Sequence, residues 1–102
     1  MVHYITYELV GIRLPNETQR LEEAIKSFGE AFAFMKNGWF VESETGNEAI
    51  AEKLQTVLRP TDRLMVVRIH KDWHAAHIPQ AEADWLAGRN FTAVGDPPLF
   101  RR

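Results

Sequence analysis

Residues 2–10, Val-His-Tyr-Ile-Thr-Tyr-Glu-Leu-Val, alternate as a strand does and put one carboxylate, Glu8, near the end of the run. An acid at that place invites chemistry. Across a two-fold axis, one Glu8 from each of two chains would form a carboxylate pair, and such a pair binds a divalent cation through oxygen or shares a proton. Magnesium or manganese, held by few carboxylates and water, is the usual partner for phosphodiester cleavage. The structural alternative is that Glu8 pairs with Arg63, Arg68 or Lys71, or faces water.

Other residue sets carry weaker chemistry. His70, His74 and His77 are spaced i, i+4, i+7, which on a helix would stack three imidazoles for zinc. His70 closes a strand-like run, however, and Pro79 cuts any helix short, so ordinary turn or surface residues are the expectation. Trp39, Trp73 and Trp85 with Phe40 have faces on which bases could stack, although Trp39 and Trp85 sit in core-facing patterns. Lys71, Arg89, Arg101 and Arg102 could rim a phosphate site. Gly11, Gly29, Gly38 and Gly46 are each accounted for by turns or caps rather than by a phosphate cradle. Ser27 and Ser43 have no readable histidine and carboxylate partners.

These residues need elements to hold them. Strand one is expected over Val2 to Val10, with Ile5, Tyr7 and Leu9 on one face and Tyr4, Thr6 and Glu8 on the other. Asn16 can cap a helix with Gln19 reaching back. Leu21, Ala24, Ile25 and Phe28 follow at helical spacing, and Gly29 stands where a C-terminal glycine would. Glu30 to Lys36 and Trp39 to Ser43 flank Asn37-Gly38, the strongest short hairpin signal. Thr45-Gly-Asn-Glu48 starts a second helix with Ile50, Leu54, Val57 and Leu58 as its stripe, and Pro60 stops it. Arg63 to His70 is the fourth strand.

The order is β-α-β-β-α-β. Short, right-handed connections reduce it to an α+β ferredoxin-like sandwich, with antiparallel strands in the order 4-1-3-2 and both helices on one face. The domain is expected over residues 1–89. Residues 90–102 would be a tail, with Asn90 to Val94 as a possible added edge strand and Ala81 to Ala87 as a short helix before it.

Composition sets the outer bounds. The chain has 102 residues, enough for one domain that hides roughly two-thirds of its unfolded surface without metal or disulfide. Twelve basic and 14 acidic residues give a net charge of -2, so there is no general pull toward nucleic acid, though a local basic patch remains open. Without cysteine there is no thiolate nucleophile, thiolate metal site or disulfide framework. No signal-like n-region and h-region and no apolar run near about 18 residues are present, so the expectation is a cytoplasmic protein without membrane contact.

In the expected sandwich the helices cover one sheet face only. Tyr4, Thr6 and Glu8, joined by Phe40, Glu42, Val66, Arg68 and His70, would line the other. A face carrying Tyr4, Phe40 and Val66 is too apolar for water. It is expected to be a dimer interface, a nucleic-acid platform, or the seat of the last 30 residues or so.

The start HYITYELV, the run LEEAIKSFGEAFAFMKNGWFVES, the stretch EKLQTVLRPTDRLMVVRI and the later DWL resemble a set of small SinR-like proteins. That set is similar to the smaller CRISPR adaptation protein and to VapD. The likeness spans about residues 2 to 87. It implies a ferredoxin-like homodimer, some of whose relatives cleave RNA or DNA with a metal. The characteristic acid of those families is an aspartate ending strand one, commonly after a tyrosine; the matching pair here is Tyr7-Glu8. Glutamate moves the carboxylate by roughly 1 Å or more, and misplacement of that size can cost about 100-fold in catalysis. Two functions follow from the likeness. One is a nuclease with Glu8 as the Mg2+ or Mn2+ ligand and Tyr7, Arg63 and Arg68 as phosphate contacts. The other, which the substitution favours, is a non-catalytic dimeric interaction or nucleic-acid-associated module. No helix-turn-helix is present, since each helix leads into a strand.

Overall fold

A computed structural model of the chain describes residues 1–93, 95 and 96. It contains β1 (Val2–Glu8), α1 (Pro15–Lys26), β2 (Glu30–Ala33), β3 (Gly38–Glu42), α2 (Asn47–Gln55), β4 (Arg63–Ile69) and α3 (Gln80–Ala87). The four strands form one antiparallel sheet in the order β2-β3-β1-β4. This is an α+β architecture, with the central strands β3 and β1 flanked by β2 and β4. No helix among the described residues is long and apolar enough to cross a membrane.

The period of two along each strand divides the apolar residues between two layers. On one side Ile5, Trp39 and Val41 meet Leu21 and Ile25 of α1 and Ile50 and Leu54 of α2, with Tyr7, Leu9, Leu64 and Val66 packed around them. On the other, Val2, Phe34 and Phe40 meet Leu86 of α3 and Phe91, with Tyr4, Ile69, Trp73, Ile78 and Trp85 beside them. Of the three fates considered for the second face, the seat of the C-terminal residues is therefore realised over β2, β3 and part of β1.

Val66 lies beneath the helices rather than on that second face. The sequence Leu64-Met-Val-Val-Arg-Ile69 is apolar at both parities, so alternation by itself cannot orient it. Pairing does: Val66 is opposite Ile5 and Leu64 opposite Tyr7, which are helix-side residues. Arg68 likewise lies opposite buried His3. Met65 and Val67 take the other face, where they are 60% and 38% exposed.

Local starts and stops differ from the sequence expectation for identifiable reasons. Helix α1 begins at Pro15, whose missing N–H costs nothing in the first turn. Glu17, not Gln19, reaches back, accepting from the Leu14 N–H at 3.3 Å. The hairpin is not a two-residue Asn-Gly turn. Residues 34–37 form the connection, Met35 and Asn37 each adopt φ of 58°, and Phe34 N–H donates to Gly38 O at 2.9 Å. Gly38 begins β3 because nothing larger fits: a Cβ there would stand 2.2 Å from the Tyr4 hydroxyl and 2.5 Å from Phe34 O.

Beyond α3, residues 90–93 form no strand, and Val94 and residues 97–102 lie outside the described residues. The segment is held by side chains instead. Phe91 is buried, Asn90 N–H donates to Glu42 at 2.6 Å, and the Asn90 side chain accepts from Thr92 N–H. With its ring inserted in the core, Phe91 is not available to extend an edge.

Candidate functional site

Glu8 ends β1 directly opposite Arg63, the first residue of β4. Their charged groups are 3.8 Å apart, with the side chains 65% and 81% exposed. An ion pair so open to water adds little stability and leaves both groups free to meet a ligand. Thr6, Tyr7, Leu64 and Met65 complete a shallow hollow of about 280 Å³ around them.

Of the other expected contacts, Tyr7 borders the hollow but turns its hydroxyl away from it, and Arg68 is elsewhere. Tyr7 points to the helix side, where its hydroxyl accepts from Trp39 Nε1 at 3.3 Å. Burial pushes the Tyr7 phenol pKa up, the Trp39 hydrogen bond opposes this, and Glu22 adds to the rise. Arg68 is five residues along β4 from Arg63, a separation of roughly 16 Å on an extended strand. Its guanidinium is bound bidentately by Asp96 and also donates to Phe91 O at 2.9 Å. That pairing raises the Arg68 pKa. Arg68 thus serves as an anchor for the C-terminal segment, and of the four residues only Glu8 and Arg63 converge.

The aromatic and histidine sets are also separated or occupied. Trp39 packs in the helix-side core under Lys26, and Trp85 lies near Phe32 and Phe40 with the Arg89 guanidinium over its ring, 4.8 Å from the centroid. Residues 70–79 contain no helix, so the spacing of His70, His74 and His77 does not create a common face. Among the described residues no three His, Asp or Glu side chains are grouped to hold a metal.

Two arrangements escaped the sequence reading. His3 is fully buried, with Nδ1 2.6 Å from Asn47 Oδ1 and Nε2 3.3 Å from Ser43 O, and so ties β1 to the start of α2. Its alternation with Ile5 was the available signal. Asp62, just before β4, receives Val10 N–H at 3.0 Å and Arg59 N–H at 2.8 Å and is paired with Arg13. Burial pushes its pKa up, but the backbone donors and Arg13 outweigh burial and lower it. Glu17 joins the same group by accepting from Arg59 Nη2 at 2.6 Å. This network fixes the β1–α1 loop behind the Glu8–Arg63 hollow.

Compared with known proteins, the chain matches no family model, no curated protein and no solved structure at a significant level.

Proposed function

We propose that the chain is a ferredoxin-like, non-catalytic interaction module that works as a homodimer in association with nucleic acid. The strand order β2-β3-β1-β4, read from the other edge as 4-1-3-2, supports the ferredoxin-like reading. The resemblance to the SinR-like, CRISPR adaptation and VapD group supports the dimer and the nucleic-acid association. The observation that carries the module reading is the uneven cover of the second sheet face. The C-terminal residues seal it over β2 and β3, while Met65 and Val67 of β4 stay exposed. Bare apolar side chains beside a sealed core mark a contact surface. Catalysis has less support, because among the described residues the hollow brings Glu8 one basic neighbour, Arg63, and no second acid.

A metal-dependent nuclease remains the second reading, favoured by the convergence of Glu8 and Arg63 in one hollow. In that reading Glu8 would hold Mg2+ or Mn2+, and Arg63 would contact phosphate. The two readings part in one experiment on labelled single-stranded RNA and duplex DNA with each metal. The module reading expects nucleic acid to be retained but uncut by both wild type and Glu8→Ala. Metal-dependent cutting that disappears in Glu8→Ala while the far-ultraviolet circular dichroism is unchanged would establish the nuclease instead.

A further inference from the structure

We infer that two copies of the chain join edge to edge through β4, antiparallel and with Val66 opposite Val66 of the second copy, so that two four-stranded sheets become one. The inference deepens the homodimer reading above and rests on it. Strand β4 has seven residues, pairs on one side with β1, and has no described residue paired along its other side. An edge of that kind offers a row of backbone donors and acceptors to another strand. Natural edges are commonly guarded by proline, a bulge or a central charge. Here the run Leu64-Met65-Val66-Val67 has none of these, and the charges Arg63 and Arg68 stand outside it.

Register selects the partner as a second copy. Residues opposite each other across an antiparallel pair share a face, so a two-fold pairing that keeps both open faces on one side must centre on a residue. Centred on Val66, each exposed Met65 lies opposite the second copy's exposed Val67, twice over. Arg63 then falls opposite Ile69 and Arg68 opposite Leu64, and no like charges meet. Centring on Val67 would oppose Arg63 to Lys71. Centring on Met65 would oppose Arg63 to Val67 and leave the apolar pair unmatched. Of these three registers, centring on Val66 alone matches the exposed Met65 with the exposed Val67 while opposing no like charges, the self-complementarity an isologous interface requires.

Cysteine is absent from the chain, so a single introduced thiol reports cleanly. Opposed Cα atoms in this pairing are roughly 5 Å apart, within disulfide reach. With oxidised glutathione, Val66→Cys should be captured as a covalent dimer. Val67→Cys alone should be captured at least about tenfold more slowly, and a mixture of Met65→Cys and Val67→Cys should cross-link to each other. The double variant Met65→Lys, Val67→Lys should weaken self-association about 100-fold or more by light scattering across a concentration series. A wild-type dimer that this double variant leaves intact, or that Val66→Cys does not capture, overturns the β4 interface while the homodimer stands. A wild type monomeric at all concentrations overturns both.

Discussion

Asp62 has no exposed side-chain surface, yet it is charged, and its burial is tolerable because every oxygen has a donor. Val10 N–H, Arg59 N–H and Arg13 converge on it from the β1–α1 loop and the turn before β4. Removing the carboxylate would leave Arg13, whose side chain is only 11% exposed, with the longer contacts to Glu17 at 3.5 Å and Val10 O at 3.4 Å. Asp62→Ala should therefore cost about 3 kcal/mol of stability in urea unfolding, the scale for breaking a buried pair. Glu8→Ala, which breaks only an open pair with Arg63, should change stability by no more than about 0.5 kcal/mol in the same measurement. The contrast matters for function. The group that fixes the loop is buried and neutralised by its neighbours, whereas Glu8 stands open to water and is free of structural duty.

At the level of elements, the β2–β3 hairpin is governed by Gly38 more than by the turn preceding it. Tyr4 crosses over Gly38, and Phe34 O lies against it from the connection. In Gly38→Ala the phenol could swing aside, but the Phe34 carbonyl is backbone, and the N–H of the same residue is tied to Gly38 O. The strand must move, and a loss of about 2 kcal/mol is expected in thermal or urea unfolding. This residue also illustrates what could be read in advance. Asn37-Gly38 marked a hairpin correctly because the dipeptide breaks strand patterning, but the glycine serves a contact from β1, which is distant in sequence. Helices α1 and α2 were legible from their stripes, Leu21 with Ile25 and Ile50 with Leu54. The face of β4 was not legible, since its apolar residues occupy both parities and only pairing with Ile5 and Tyr7 decides between them. Of the expected site, Glu8 and Arg63 converge because both sit at strand ends in one register. Tyr7 and Arg68 could not be assigned without knowing what Trp39 and Asp96 would do.

Across the whole molecule, the two apolar layers differ in how they are secured. The helix-side layer takes its buried residues from four elements, β1, α1, β3 and α2, with Leu64 and Val66 of β4 packed against them. The C-terminal layer hangs on an eight-residue helix without a side-chain cap, reached through residues 70–79 that have no regular structure. An isolated helix of that length is unstable in water, so α3 persists only while Leu86 and Phe91 remain seated. The Arg68–Asp96 pair closes this layer against β4. Hydrogen bonds from Arg68, aided by Ala93 N–H, hold the Asp96 pKa down to about 2 from its ordinary 3.8. A carboxyl whose pKa is depressed by folding contributes stability that is complete above its unfolded value and is lost as pH falls through the folded one. The C-terminal layer should accordingly loosen between about pH 4 and pH 2, before the sheet unfolds. Near neutral pH, hydrogen exchange should already find α3 amides opening more readily than those of β1 and β3. In acid, Trp73 and Trp85 fluorescence should change ahead of far-ultraviolet circular dichroism, and Asp96→Asn should shift the fluorescence change to a higher pH or abolish it. A single coincident acid transition in both signals would mean that the two layers unfold as one unit. The segment covering the second face would then be as integral to the fold as the helices opposite.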